Sequence, residues 1–173
     1  MSTFLEILKY VLPALIVFFT TYYVVRSFLR NEEQRRRQDR ILNNQKLITP
    51  LRLQAYERIV HLLEKVSINA MLKRLHKKEM TVSQLQGQML STIRAEFDNN
   101  ISQQIYISHE AWQMAVIAKE NIIKLINSIA SKIKPNAPAI NLSKRLLEET
   151  VQMDKTPSSK AIEYIKKEVH ELF

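Results

Sequence analysis

Gly87 is the only glycine in a chain of 173 residues, where ordinary usage of about 7% predicts roughly twelve. Glycine supplies the positive-φ backbone of tight hairpins and the bare backbone that lies under a phosphate in P-loop and Rossmann folds. A chain almost without it is steered towards helices, and those architectures are all but excluded. Cysteine is absent as well, which removes disulfides, thiolate metal sites and cysteine nucleophiles. Apolar residues make up 46% of the chain, enough to build a core, and the length suits one compact domain with a short appendage. The expected class is all-α.

The N-terminus sets the expected location. Tyr10 to Val25 is sixteen residues without a charge, inside a mostly apolar stretch from Phe4 to Leu29. As helix, sixteen residues cover about 24 Å and the longer stretch about 39 Å, against a hydrocarbon core of about 30 Å. Nine Leu, Ile, Val and Phe residues between Tyr10 and Val25 favour insertion by about 3–5 kcal/mol. Lys9 and Arg26 flank the window and can snorkel, while Tyr10, Tyr22 and Tyr23 suit an interfacial belt. A cleaved signal peptide fits less well, because Val24-Val25-Arg26-Ser27 is a poor cut site, and a buried core helix is the other competitor. The expectation is a single transmembrane helix at 4–29, a polar juxtamembrane helix at 30–48 and a small cytoplasmic helical bundle at 49–173.

Orientation follows from the basic residues. Lys9 stands alone before the span, whereas Arg26, Arg30, Arg35, Arg36, Arg37 and Arg40 follow it. The positive-inside rule then puts the N-terminus outside and the rest in the cytoplasm, a single-pass protein of the inner membrane. The basic excess fades along the chain: residues 26–45 hold six cations and three carboxylates, and residues 135–173 hold six of each. Anionic headgroups are the partner this gradient implies, at about 1 kcal/mol per Lys or Arg. Residues 31–46 lack an apolar stripe and need charge pairs or a partner helix. A homo-oligomeric stalk would meet that need, although Ile41, Leu42 and Leu47 make no heptad.

The remaining chain reads as successive helices. Thr49-Pro50 has the form of an N-cap and first helical residue, followed by Tyr56, Ile59, Val60, Leu63 and Val66 at helical spacing. A short basic helix from Ser67 turns Met71, Leu72 and Leu75 inwards. Thr81-Val-Ser-Gln84 is a capping box opening a helix with the stripe Val82, Leu85, Met89, Ile93 and Phe97. Gly87 falls inside that helix, where a close crossing would explain it. Asp98-Asn99-Asn100 marks a break, and Ile101–Ile107 has no strand to pair with. Ser108 caps a helix that ends before Pro135 and buries Trp112, Ala115, Val116, Ile122, Ile123, Ile126, Ile129, Ala130 and Ile133. Leu142 to Val151 forms another, and Thr156-Pro157 opens the last, burying Ala161, Ile162, Ile165 and Val169.

Catalytic and metal patterns are missing from this sequence. His109-Glu-Ala-Trp-Gln113 comes nearest to a zincin, but Gln113 stands where the second histidine ligand belongs. Glu57 lies four residues before His61, a spacing that suits a surface ion pair. No histidine has a glutamate three residues before it, as di-iron bundles require. No cofactor and no enzymatic activity are expected. Lys73, Arg74, Lys77 and Lys78 cluster around His76 and give a basic patch that nucleic acid could use, but no groove-entering motif accompanies it.

Asn44-Gln-Lys-Leu-Ile-Thr-Pro-Leu-Arg-Leu-Gln-Ala-Tyr-Glu-Arg58, with Leu5–Pro13 and Glu96-Phe-Asp-Asn-Asn-Ile-Ser-Gln-Gln-Ile-Tyr106, resembles a family of uncharacterised membrane-anchored helical proteins of the Bacteroidota. The likeness covers most of the chain and implies a domain of unknown function, with no residue role to carry over. A weaker likeness to the peripheral-stalk b subunit of F-type ATP synthases fails, because Pro50, Pro135, Pro138 and Pro157 are expected to cut the chain into short helices. The expected function is a membrane-anchored, non-enzymatic interaction or scaffold module with an unknown protein partner. The alternatives are a membrane-tethered nucleic-acid binder and an enzyme of unknown type.

Overall fold

The computed structural model describes residues 2–172, with side chains for all of these except 2–14, 37 and 40–44. Among the described residues every regular element is helical: α1 (Ser2–Lys65), α2 (Ile68–Leu75), α3 (Val82–Asn100), a 3-10 turn (Ile101–Ile105), α4 (His109–Ala130), α5 (Ala139–Gln152) and α6 (Pro157–Leu172). Residues 1–49 and 50–173 form two compact units.

In the first unit, no helix among the described residues is long and apolar enough to cross a membrane. This overturns the expected transmembrane helix at 4–29, and with it the single-pass inner-membrane location. Residues 4–14 of that expected span, Lys9 included, lie outside the described side chains. The described side chains from Leu15 to Thr49 are exposed, apart from half-buried Glu32. Thr20 turns its hydroxyl back onto the carbonyls of Ile16 and Val17, at 2.7 and 3.0 Å.

Thr49-Pro50 does not open a helix, because α1 runs unbroken from Ser2 to Lys65. Proline removes one amide donor from the ladder, and Lys46, Leu47, Leu51, Arg52, Gln54 and Ala55 around it are strong helix formers. One missing bond is too little to end the helix in that company. The expectation that Pro50 cuts the chain is therefore corrected.

The second unit carries the core. Its stretch of α1 buries Ala55, Tyr56, Ile59, Leu62 and Leu63, with Val60 partly covered, and Val66 just after it is buried too. Ser67 caps α2 by accepting from Ala70 N, and Met71 and Leu72 point inwards. The Thr81 box forms in full: Gln84 N donates to Thr81 Oγ1, and Thr81 N donates to Gln84 Oε1. All of Val82, Leu85, Met89, Ile93 and Phe97 are buried on α3. Gly87 is exposed on the opposite face, and a Cβ there would meet nothing within 4 Å. It marks no close crossing and simply costs α3 about 1 kcal/mol relative to alanine.

Helix α4 is central, packing most extensively on α6 and also on α3 and α5. It buries three alanines, Ala111, Ala115 and Ala118, on its first turns, then Ile122, Ile126, Ile129 and Ala130. Trp112 is only partly buried, tilted against Phe97 with ring centroids 6.3 Å apart. Val116 is likewise half-covered rather than core. Thr156 caps α6 through Ser159 N, with Pro157 as the first helical residue.

The turn between α4 and α5 docks on the start of α3. Val82 N donates to Ala137 O, Ser83 N to Pro135 O and Ala139 N to Met80 O, at 2.9, 3.1 and 2.8 Å. Orphan amides at a helix start are thus met by a loop more than fifty residues away in sequence. This backbone clasp brings α2 and its following loop beside the start of α5.

Candidate functional site

Of the basic residues expected to flank a membrane, Lys9, Arg37 and Arg40 lie outside the described side chains. Arg26 sits over the Tyr22 ring at 5.9 Å, and Arg36 Nε donates to Glu32 Oε1 at 3.1 Å. Arg30 and Arg35 are exposed. A surface ion pair of this kind contributes little, and these residues share a helix without converging on a site.

The other basic cluster converges. Lys73 and Arg74 lie in the last turn of α2, and Lys77 and Lys78 in the loop that follows; all four side chains are exposed. Arg74 also has a structural task, since its Nη2 donates to Lys65 O at 3.1 Å and caps the end of α1. At the end of α2, His76 Nδ1 meets Ser143 Oγ on α5 at 2.8 Å. The Ser143 hydroxyl is given to Ala139 O at 3.2 Å, which leaves the imidazole N–H as the donor to serine. Together with the Met80–Ala139 bond, this link pins the Lys77-Lys78 loop against α5 at both ends.

Four further cations lie in the segment that the clasp ties to this loop. Lys132 and Lys134 in the turn after α4, and Lys144 and Arg145 on α5, line a cleft of about 480 Å³ with Asn141 and a single carboxylate, Glu148. All four are exposed, and none forms an ion pair among the described residues. Charge counted along the sequence conceals them. Residues 135–173 are neutral as a block, and Lys132 and Lys134 belong to a different block. The clasp between the two turns and the His76–Ser143 bond join them to the α2 cluster. The two adjoining segments hold eight cations against Glu79 and Glu148, a net +6 of the chain's formal +9.

A second polar cluster is internal. Tyr56 on α1 is 1% exposed and donates its hydroxyl hydrogen to Glu168 Oε1 on α6 at 2.5 Å. Ser108 Oγ donates to Glu168 Oε2 at 2.8 Å, while Ser108 N donates to the Tyr56 oxygen at 3.2 Å. Ser108 Oγ also accepts from Ala111 N, capping α4. Burial pushes the Tyr56 phenol up, and the hydrogen bond to Glu168 adds to the shift. Every donor here is committed to another member, so the cluster acts as a clamp joining α1, α4 and α6.

Beside the clamp, α1 and α6 enclose a groove of about 360 Å³ floored by Leu53, Val60, Ile165 and Val169 and edged by Glu57, His61, Glu64 and His170. Glu57 and His61 share this edge but form no ion pair among the described residues. His109 is exposed at the start of α4, with Gln113 also exposed one turn on. Among the described residues no group of three or more His, Asp or Glu side chains could hold a metal ion.

Fold and site together define a small all-helical bundle with two basic segments held side by side. The chain belongs to a family of unknown function, DUF7935, whose model matches residues 2–172. No curated protein and no solved structure matches it.

Proposed function

We propose that this protein is a non-enzymatic interaction module whose basic face docks an anionic partner. The observation that carries the reading is the clasp at Met80 and Ala139, which brings two basic segments remote in sequence side by side. Like charges brought together repel, and a face of this kind is stabilised by an opposite charge laid across it. The cations are exposed, so their charge remains available to a macromolecular partner at short range.

The test compares what co-purifies with the wild-type chain and with Lys77→Glu/Lys144→Glu, one reversal from each side of the seam. Both side chains are exposed, and the variant is expected to keep the wild-type circular dichroism spectrum. At least a tenfold depletion of a reproducible partner set supports the module. Identical sets for the two proteins would sink it.

A further inference from the structure

We infer that the occupant of the basic face is the phosphate backbone of double-stranded nucleic acid, bound without regard to sequence. The inference rests on the interaction reading above and names its partner class. What discriminates between anionic partners is the chemistry of the face. Residues 73–80 and 131–148, which supply it, contain no Phe, Tyr or Trp. Protein interfaces centre on buried aromatic anchors and are depleted in lysine, so an acidic protein surface is a poor match. Single strands are held by stacking bases on aromatic side chains, which this face also lacks. Duplex backbone needs only cations and hydrogen-bond donors set along a surface.

The arrangement meets that need. Six of the eight cations are lysines, which address phosphates as mobile point charges. Lys132 and Lys134 face Lys144 and Arg145 across the cleft, with the Asn141 amide among them as a neutral donor. Lys77 and Lys78 lie in the neighbouring loop, which the His76–Ser143 bond ties to α5. Because this loop is tied to α5 at His76 and Met80, the spacing of its cations is set before any ligand arrives. Cations that address phosphates carry no sequence information, so affinity is independent of sequence.

The experiment measures binding of the purified full-length chain to a fluorescent mixed-sequence DNA duplex as salt is varied. Contact with about four to six phosphates predicts a log–log salt slope of about −4 to −5, and a loss of at least about 10²-fold in affinity between 50 and 200 mM salt. Lys77→Glu/Lys144→Glu should cut affinity at least tenfold and flatten the slope by about two, with a thermal midpoint no lower than that of the wild type. Shuffling the duplex sequence should leave affinity unchanged. Absence of binding at 50 mM salt overturns the inference, as does binding that the double variant does not weaken. Tighter binding to poly-glutamate or to vesicles containing anionic lipid than to the duplex also overturns it. Those last two results leave the interaction reading standing, because the same face would then serve another anion.

Discussion

Tyr56 shows how much one hydroxyl can organise. Its oxygen accepts from Ser108 N and its hydrogen goes to Glu168, so removing it strands a helix-capping amide and one carboxylate oxygen together. Tyr56→Phe should cost about 1–3 kcal/mol, read as a lower denaturant midpoint at unchanged slope. The effect has a pH signature. The folded phenol is raised above its ordinary value by burial first and by the Glu168 bond second. A raised acid holds its proton more tightly when folded, so its contribution is fully present below about pH 10 and is lost as pH rises through the folded value. Wild type should therefore lose stability in the alkaline range more steeply than Tyr56→Phe. Parallel alkaline stability curves would show that Tyr56 does not carry the effect. Tyr164, more than a third exposed, is raised in the same direction by burial and the nearby Glu168, and supplies the residual slope that the variant should retain. None of this was legible in the sequence beyond apolar spacing, because Tyr56 and Glu168 are 112 positions apart and neither belongs to a local motif.

At the scale of elements, local signals were readable where local chemistry decides. Thr81 and Gln84 satisfy each other within one turn, and the α3 stripe follows from a single helical period, so both could be read in advance. Ser108 and Thr156 are caps of the same kind. Pro50 is the instructive failure. A Thr-Pro pair is equally a helix start and a tolerated gap in a longer helix, and the neighbours' propensities decide between them. The two possibilities differ in energy. Within a continuous α1, Pro50 forfeits one ladder bond and its ring crowds the Lys46 carbonyl, so Pro50→Ala should stabilise the chain by up to about 3 kcal/mol and raise its helical ellipticity. At a true first position the missing amide would have had no partner anyway, and the substitution would be neutral or slightly destabilising. Thermal melts of the two proteins choose between them. The basic region was half legible for a related reason: Lys73 to Lys78 cluster in sequence, while Lys132, Lys134, Lys144 and Arg145 are brought beside them by the docking of two turns and the His76–Ser143 bond.

For the whole molecule, the question is which residues the fold needs. Every buried hydrophobic side chain of the core falls between Ala55 and Ile165, within the unit that begins at Pro50. In the other unit the described side chains from Leu15 onward are exposed apart from half-buried Glu32, with Phe18, Phe19, Tyr22, Tyr23 and Phe28 each more than half accessible. An apolar surface of that extent adds to association and nothing to the bundle's core. The clamp of Tyr56, Ser108 and Glu168 and the clasp of Met80 and Ala139 also lie wholly within 50–173. Their hydrogen bonds are therefore intact in a chain that starts at Pro50, where proline becomes a favourable first residue. Residues 50–173 expressed alone should unfold in one cooperative transition, with a denaturant slope appropriate to about 120 residues and better solubility than the full chain. The fragment should also keep the duplex affinity of the intact protein, since Lys77, Lys132, Lys134 and Lys144 all remain. A broad, non-cooperative melt would mean that the first unit supplies core contacts, and the division of the chain at Pro50 would have to be abandoned.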